Sequence, residues 1–286
     1  MKSLRNQVAV VTGAASGIGR ALSVALAGEG CHLAIGDLDL EGLGETAKIV
    51  KSAGSKVFTS RLDVADPLEM KAFAAKVVEK FGRVDILVNN AGIALVAMVD
   101  EANRAGFQRV MDINFWGVFD GVISFLPQMR KQASAHIVNI SSVFGLWAIP
   151  TQASYNCSKF AVRALSEALA QELSGTGVTI SCVYPGGVRT NIAKGAQFQQ
   201  GFGPLESKEA FRRLFEEHLA VTTPEKAAAA IIRGIKAKRA RILIGPDAYL
   251  MDFLQRMFPT LYQKIIPTVL KLKTTFGKVF AGRAMK

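Results

Sequence analysis

Short apolar runs recur along the chain at Val8–Val11, His32–Ile35, Lys56–Thr59, Ile86–Val88, His136–Ile140, Thr179–Val183 and Ile242–Ile244. They are mostly β-branched and lack polar alternation, as strands buried on both faces do. Between them, apolar positions follow the helical period over 17–29, 41–53, 67–81, 103–130, 152–174 and 224–238. This alternation predicts an α/β fold, a doubly wound parallel sheet of about seven strands with right-handed crossovers and helices on both faces. Pro67, Pro224 and Ser154 stand where helices should start, and Gly30, Gly54 and Gly82 where they should end.

Two stretches depart from the rhythm. Residues 191–223 are long for a connection and carry Phe198, Phe202, Phe211 and Phe215, a composition expected of a substrate lid. Beyond Gly245 the chain continues past the last strand. The organisation expected is one dinucleotide-binding catalytic domain over 1–245, followed by a basic, amphipathic helical extension over 246–286.

Charge sharpens that division. Residues 1–232 carry 23 basic and 21 acidic side chains, whereas 233–286 carry 12 basic and 2 acidic. Any argument from the net charge of +12 therefore concerns the C-terminal segment alone. Leu261, Ile265, Val269, Leu272 and Phe276 form an apolar arc beside Lys264, Lys271 and Lys278, with Pro267 as a break. Two readings stay open: a helix lying on an anionic membrane surface, or a tail packed on the domain or on a second subunit. No reading motif supports nucleic acid.

The three cysteines form no CxxC pair and the three histidines are scattered, so neither a disulfide framework nor a metal site is expected. No window reaches the roughly 18 apolar residues of a membrane span, and the first residues lack a signal-peptide core. The expectation is a cytoplasmic, non-spanning protein, with peripheral membrane contact left open.

The first strand runs into Thr12-Gly13-Ala14-Ala15-Ser16-Gly17-Ile18-Gly19 and then directly into a helix. Glycines there let backbone amides approach a pyrophosphate at the helix N-terminus. Asp37, at the end of the second strand, is placed to accept hydrogen bonds from ribose hydroxyls and to repel a 2′-phosphate. Neither Ser16 nor Leu38 supplies a compensating cation, so NAD is preferred over NADP. The competing role for Asp37 is capping the next helix.

With this loop stand Asn89-Asn90-Ala91-Gly92, Asn114, Ser141-Ser142, Tyr155-Asn156-Cys157-Ser158-Lys159 and Pro185-Gly186, in that order. Over residues 5–245 the chain resembles the short-chain dehydrogenase/reductases, which implies a Rossmann-like fold and an oxidoreductase. The resemblance makes Tyr155 the proton-transfer residue, Lys159 its electrostatic partner, Ser142 the group that holds the substrate oxygen and Asn114 the anchor of a proton-relay water. It assigns Gly13, Ser16, Gly17, Ile18, Gly19, Asp37, Asp63, Val64, Asn90, Tyr155, Lys159, Val188 and Thr190 to the cofactor. Ser141 competes with Ser142, and a capping role competes for Asp63.

Chemistry supports the pairing independently. Tyr155 and Lys159 are four apart on an expected helix and share a face. Lowering a phenol by about three units needs about 4 kcal/mol of phenolate stabilisation, which a nearby ammonium and a cationic nicotinamide could supply. Cys157 points away from that face. The segments expected to line the substrate contribute Ile93, Phe144, Trp147, Ile149, Phe198, Phe202 and Phe215, with Phe144 and Trp147 foremost. That inventory implies a lipophilic alcohol or ketone, such as a steroid, retinoid or long-chain compound. A ketoacyl-thioester reductase and a non-catalytic dinucleotide-binding or membrane-docking protein are the alternatives, and a homo-oligomer is the state the resemblance implies.

Overall fold

The computed structural model describes residues 3–200, 207–266 and 268. Seven parallel strands form the main sheet: β1 (Val8–Thr12), β2 (His32–Asp37), β3 (Val57–Arg61), β4 (Ile86–Asn89), β6 (Ala135–Ile140), β7 (Val178–Pro185) and β9 (Arg241–Ile244). Their spatial order is β3-β2-β1-β4-β6-β7-β9. The order reverses direction between β1 and β4, which opens a crevice at their C-terminal ends, the place where such sheets bind ligands. Each apolar run anticipated from sequence falls on one of these strands, the run Lys56–Thr59 starting one residue before β3.

One layer of helices comprises α1 (Gly17–Gly28), α2 (Leu40–Ser52) and α8 (Pro224–Lys236), packed around Val11, Leu22, Leu26, Ile35, Ile231 and Ile235. The other contains α3 (Pro67–Phe81), α5 (Gly117–Met129) and α6 (Ala153–Glu172), closing over Leu87, Phe73, Phe125 and Ile137. Local chemistry sets the helix ends. Asp66 caps α3 and Thr223 caps α8, each followed by proline at the first helical position. Gly82 ends α3 at φ 71°. Ser154 falls inside the first turn of α6 rather than at its cap, which is Gln152.

Three features differ from the expectation. The single helix over 103–130 is divided into α4 (Arg104–Met111), a π-helical turn at Asp112–Trp116, and α5. A second, two-stranded parallel sheet pairs β5 (Leu95–Ala97) with β8 (Gln197–Gln200). The stretch 191–223 also holds α7 (Lys208–Leu214) and a π-helical turn at Phe215–Leu219, while Phe202 lies outside the described residues. Beyond β9, α9 (Pro246–Met257) packs back on the sheet edge, and a helical turn follows over 262–266. Pro267, Val269, Lys271, Leu272, Phe276 and Lys278 lie outside the described residues. No helix among the described residues is long and apolar enough to cross a membrane.

Candidate active site

The loop after β1 is shaped by what its glycines leave out. Gly13 has φ +65°, and a Cβ there would lie 2.8 Å from Ala91 Cα and 2.9 Å from Asn90 Nδ2. A Cβ on Gly19 would collide with the Gly13 carbonyl oxygen. Gly17, at φ +54°, faces the Thr190 methyl group. Ser16 occupies the N-cap of α1 but makes no side-chain cap bond, so the helix N-terminus meets the loop with backbone amides rather than a serine hydroxyl. Asn90 pins the loop from below, its Nδ2 donating to the carbonyls of Thr12 (2.9 Å) and Gly13 (3.0 Å). Ile18 packs partly buried against the core.

Asp37 ends β2 with Oδ2 accepting from Ala15 N at 2.9 Å and Oδ1 from Asp39 N at 3.1 Å. The cap of α2 is Asp39, through Gly42 N, so the competing role falls to a different aspartate. Asp39, Glu41 and Glu45 line the depression beside Ser16 and Gly17. The cation there, Arg20, is committed to the Ala15 and Gly42 carbonyls and to Glu45.

Asp63 pairs with Arg109 at 3.1 Å and accepts from Ala65 N, leaving the cap of α3 to Asp66. Burial opposes ionised Asp63, but that amide and the guanidinium outweigh it and hold the carboxyl below its ordinary value. The Val64 side chain is buried against Gly117. Val188 is buried after β7 and bridges to Thr222. Thr190 reaches the glycine loop as described.

At the C-terminal ends of β4 and β6 the remaining predicted residues converge on α6. The π-helical turn puts Asn114 fully inside, where Nδ2 donates to Ile93 O (2.9 Å) and Ser158 Oγ (3.1 Å), and Oδ1 accepts from Ile93 N (2.9 Å). An asparagine disfavoured in a regular helix thus becomes a clamp between two segments. Gly92 lies between Asn114 and Lys159, and a Cβ there would be 3.2 Å from Asn114 Oδ1 and 3.5 Å from Lys159 Nζ.

Lys159 is 3% exposed, donates to Ile140 O at 2.9 Å, and sits 5.5 Å from the Tyr155 ring centroid. Ser141 Oγ donates to Lys159 O, which makes it structural. Ser142 Oγ accepts from Phe144 N at 3.1 Å and acts on Tyr155 to favour its ionised form. Ser142 thus acts on the phenol while Ser141 is turned to the α6 backbone.

The electrostatics qualify one expectation. Burial pushes Tyr155 up to about 12, with the Ser142 hydrogen bond acting against it, while burial pulls Lys159 down to about 8. Burial therefore outweighs what the chain's own residues do to lower the phenol.

Between about pH 8 and 10.5 unfolded Lys159 binds more protons than folded Lys159, so its burial penalty is full below 8 and fades toward 10.5. Lys159→Met should raise stability at pH 7 by an amount on the order of 1–3 kcal/mol, with the gain shrinking as pH rises through that window, and should abolish turnover. Urea unfolding at pH 7 and pH 10 checks it; a gain that is flat or grows with pH would refute the buried-ammonium account.

Around Tyr155 the wall is apolar: Ala94, Val96 and Ala196 are buried with it, and Phe144, Ile192 and Phe198 pack on them. Phe144 meets the Tyr155 ring edge-on at 6.2 Å. Trp147, expected beside the substrate, is engaged elsewhere. Its Nε1 donates to Met251 O at 2.9 Å and its ring stacks on Tyr262 at 4.7 Å. Ile93 packs in the core, and Ile149 gives its carbonyl to Asn156. Phe215 is half-buried in its π turn. Cys157 is exposed, on the far side of α6 from the buried pair.

Sequence reasoning missed Asp247. From the first turn of α9 its Oδ2 accepts from Gly187 N at 2.7 Å, and it fills the space beside Gly186 that a side chain would need. In the sequence, Gly245-Pro246-Asp247 marked only where the chain runs on past the last strand, with no sign that its carboxylate holds the loop after β7.

A parallel sheet with a glycine loop at its switch point and a buried Ser142–Tyr155–Lys159 cluster defines a dinucleotide-type oxidoreductase site. Residues 7–201 match the short chain dehydrogenase family model, and the chain belongs to the short-chain dehydrogenase/reductase family, enzymes that act on CH–OH groups. The SadH protein of Mycobacterium tuberculosis is 41% identical over 268 residues, covering 93% of this chain and 96% of SadH. The 3-oxoacyl-(acyl-carrier-protein) reductase FabG of Thermotoga maritima is 37% identical over 191 residues, 67% of this chain and 78% of the reductase. A short-chain dehydrogenase/reductase from Burkholderia phymatum, solved in complex with NAD, superposes with a TM-score of 0.83 at 32% identity over 92% of this chain and 97% of that one.

Proposed function

We propose that this enzyme is NAD-dependent and interconverts a lipophilic alcohol with its ketone or aldehyde. The observation that carries the substrate class is the apolar cluster of Ala94, Val96, Phe144, Ile192, Ala196 and Phe198 around Tyr155. The cofactor fits the site: Gly13, Gly17 and Gly19 clear room for a pyrophosphate at the amides opening α1, Asn90 and Thr190 hold the loop, and Asp37 stands where the adenosine ribose would lie. With Asp37, Asp39, Glu41 and Glu45 on that side and Arg20 already paired, a 2′-phosphate meets negative charge. The NAD in the Burkholderia phymatum structure agrees with this reading.

When bound, the nicotinamide accepts or gives the hydride and, in its oxidised form, brings the positive charge that the Tyr155 phenolate needs. Ser142 holds the substrate oxygen, and Tyr155 gives or takes its proton at the phenol oxygen. Lys159 favours the phenolate electrostatically. Asn114 and Lys159, converging beside Gly92, are within reach of one bridging water that returns the proton to solvent. Asp63 and Val64 are assigned to the adenine end, Val188 and Thr190 to the nicotinamide end. The resemblance also leads us to a homo-oligomer, for which exposed Trp116, Ile123 and Phe160 offer an apolar face.

Fluorescence titration with NADH and NADPH, on wild type and Asp37→Ala, tests the cofactor. NADH should bind at least about tenfold more tightly to wild type, and the substitution should remove most of that preference. Turnover across primary and secondary alcohols of increasing length tests the substrate, with kcat/KM rising about fourfold per added methylene while the site fills. A preference for short polar alcohols would sink the lipophilic reading. The FabG relative keeps a ketoacyl-thioester reductase as the second reading; it predicts NADPH-dependent reduction of acetoacetyl-CoA, which Asp37 opposes.

A further inference from the structure

Among the described residues, seventeen large apolar side chains are exposed, and seven of them fall within residues 249–265: Tyr249, Leu250, Phe253, Met257, Phe258, Leu261 and Ile265. In α9 and the turn after it these residues face outward because the inward positions are taken. Ala248 is buried, Trp147 holds the Met251 carbonyl, and Tyr262 stacks on Trp147. The two acidic residues after position 232 are turned into the protein: Asp247 accepts from Gly187 N through Oδ2, with Oδ1 buried and unpartnered, and Asp252 pairs with Arg241 and Arg256. The outward face thus joins an apolar row to exposed Lys264, and the sequence after it carries Lys271, Lys273, Lys278, Arg283 and Lys286 with no Asp or Glu.

We infer that the face of α9 and residues 258–265 docks on the surface of an anionic lipid bilayer, with Leu250, Phe253, Met257, Leu261 and Ile265 entering the headgroup–acyl boundary and the lysines reading the lipid phosphates. A second copy of this chain fits the face less well. An isologous contact would set one strongly basic segment against its twin, and like charges oppose such a pairing. The inference does not depend on which alcohol the site takes. It does fit a site that takes water-insoluble substrates, since α9 holds both the loop after β7, through Asp247, and the segment after Ser142, through Met251.

The test is flotation of the full chain with vesicles of phosphatidylcholine alone and of phosphatidylcholine with about one quarter phosphatidylglycerol, with sedimentation velocity on the same samples. Partitioning should be at least about tenfold higher on the anionic vesicles and fall steeply near 0.5 M NaCl. Leu250→Ser/Phe253→Ser should lose at least about tenfold of it, with an unchanged thermal melt and unchanged turnover of a short alcohol. Lys264→Glu/Lys271→Glu should erode the anionic preference without touching the apolar row. Absence of binding to either vesicle, or equal binding to both, overturns the proposal. So does a loss of oligomer in the Leu250/Phe253 variant, which would give the face to a second copy instead.

Discussion

Tyr155→Phe is expected to reduce kcat by about 10²–10⁴-fold, the range over which a positioned general acid–base group acts, while leaving NADH affinity within about twofold of wild type. The ring stays where it is, edge-on to Phe144 and walled by Ala94 and Val96, so packing is conserved and the loss isolates the hydroxyl. Two consequences of the geometry sharpen the test. Ser142 loses its phenolic partner but keeps the Phe144 amide, so the variant should fold and melt normally.

The wild-type rate should also depend on pH through Tyr155. Burial pushes the phenol up to about 12 in the free protein, and a bound oxidised nicotinamide would supply the positive charge that draws it back down. A profile of kcat for alcohol oxidation should therefore rise through a single ionisation that Tyr155→Phe removes. Stopped-flow turnover of wild type and variant across pH checks both points. A variant that keeps more than about a tenth of wild-type kcat would mean that another group moves the proton.

Gly19→Ala should abolish cofactor binding altogether, and do so at the expense of stability. The added Cβ meets the Gly13 carbonyl oxygen and lies 2.6 Å from Asn90 Nδ2. Neither can yield freely. Gly13 is pinned at positive φ under Ala91, and the Asn90 amide is already committed to the Thr12 and Gly13 carbonyls. Overpacking of this kind costs about 1–3 kcal/mol, and any relaxation moves the loop that must approach the pyrophosphate. The expectation is at least about a hundredfold weaker NADH binding together with a lower urea midpoint. An unchanged midpoint with unchanged affinity would show that the loop is more pliable than its contacts imply. Gly28→Ala is the control, because a Cβ there meets nothing within 4 Å.

How much of this was legible beforehand depended on the kind of signal. Strands β1, β2, β4, β6 and β7 were readable because they are buried on both faces and written as apolar runs, while the edge strands β3 and β9, only partly buried, still showed as short apolar runs. β5 and β8 were not: one has three residues, and the other, Gln197–Gln200, is almost wholly polar and gains its pairing only from a partner about a hundred residues away. The division of 103–130 left a trace in Asn114, an awkward helix residue, yet the π-helical turn that explains it depends on the buried contacts with Ile93 and Ser158. Tyr155 and Lys159 were legible as a pair from their spacing, but the direction in which burial moves each of them was not. Trp147 was expected beside the substrate, and nothing in the sequence told that its indole donates to Met251 O and stacks on Tyr262, more than a hundred residues on.

Those same contacts redraw where the working unit ends. A shortened chain cut at Gly245, where the last strand is finished, would strip the carboxylate from the Gly187 amide, bare one face of the Trp147 indole and leave Arg241 without Asp252. A cut after Ile266 keeps every one of these bonds. For anyone building a fusion or a minimal version of this enzyme, the terminal helix is a brace for the catalytic domain, and the natural place for a joint lies about twenty residues beyond the edge of the sheet.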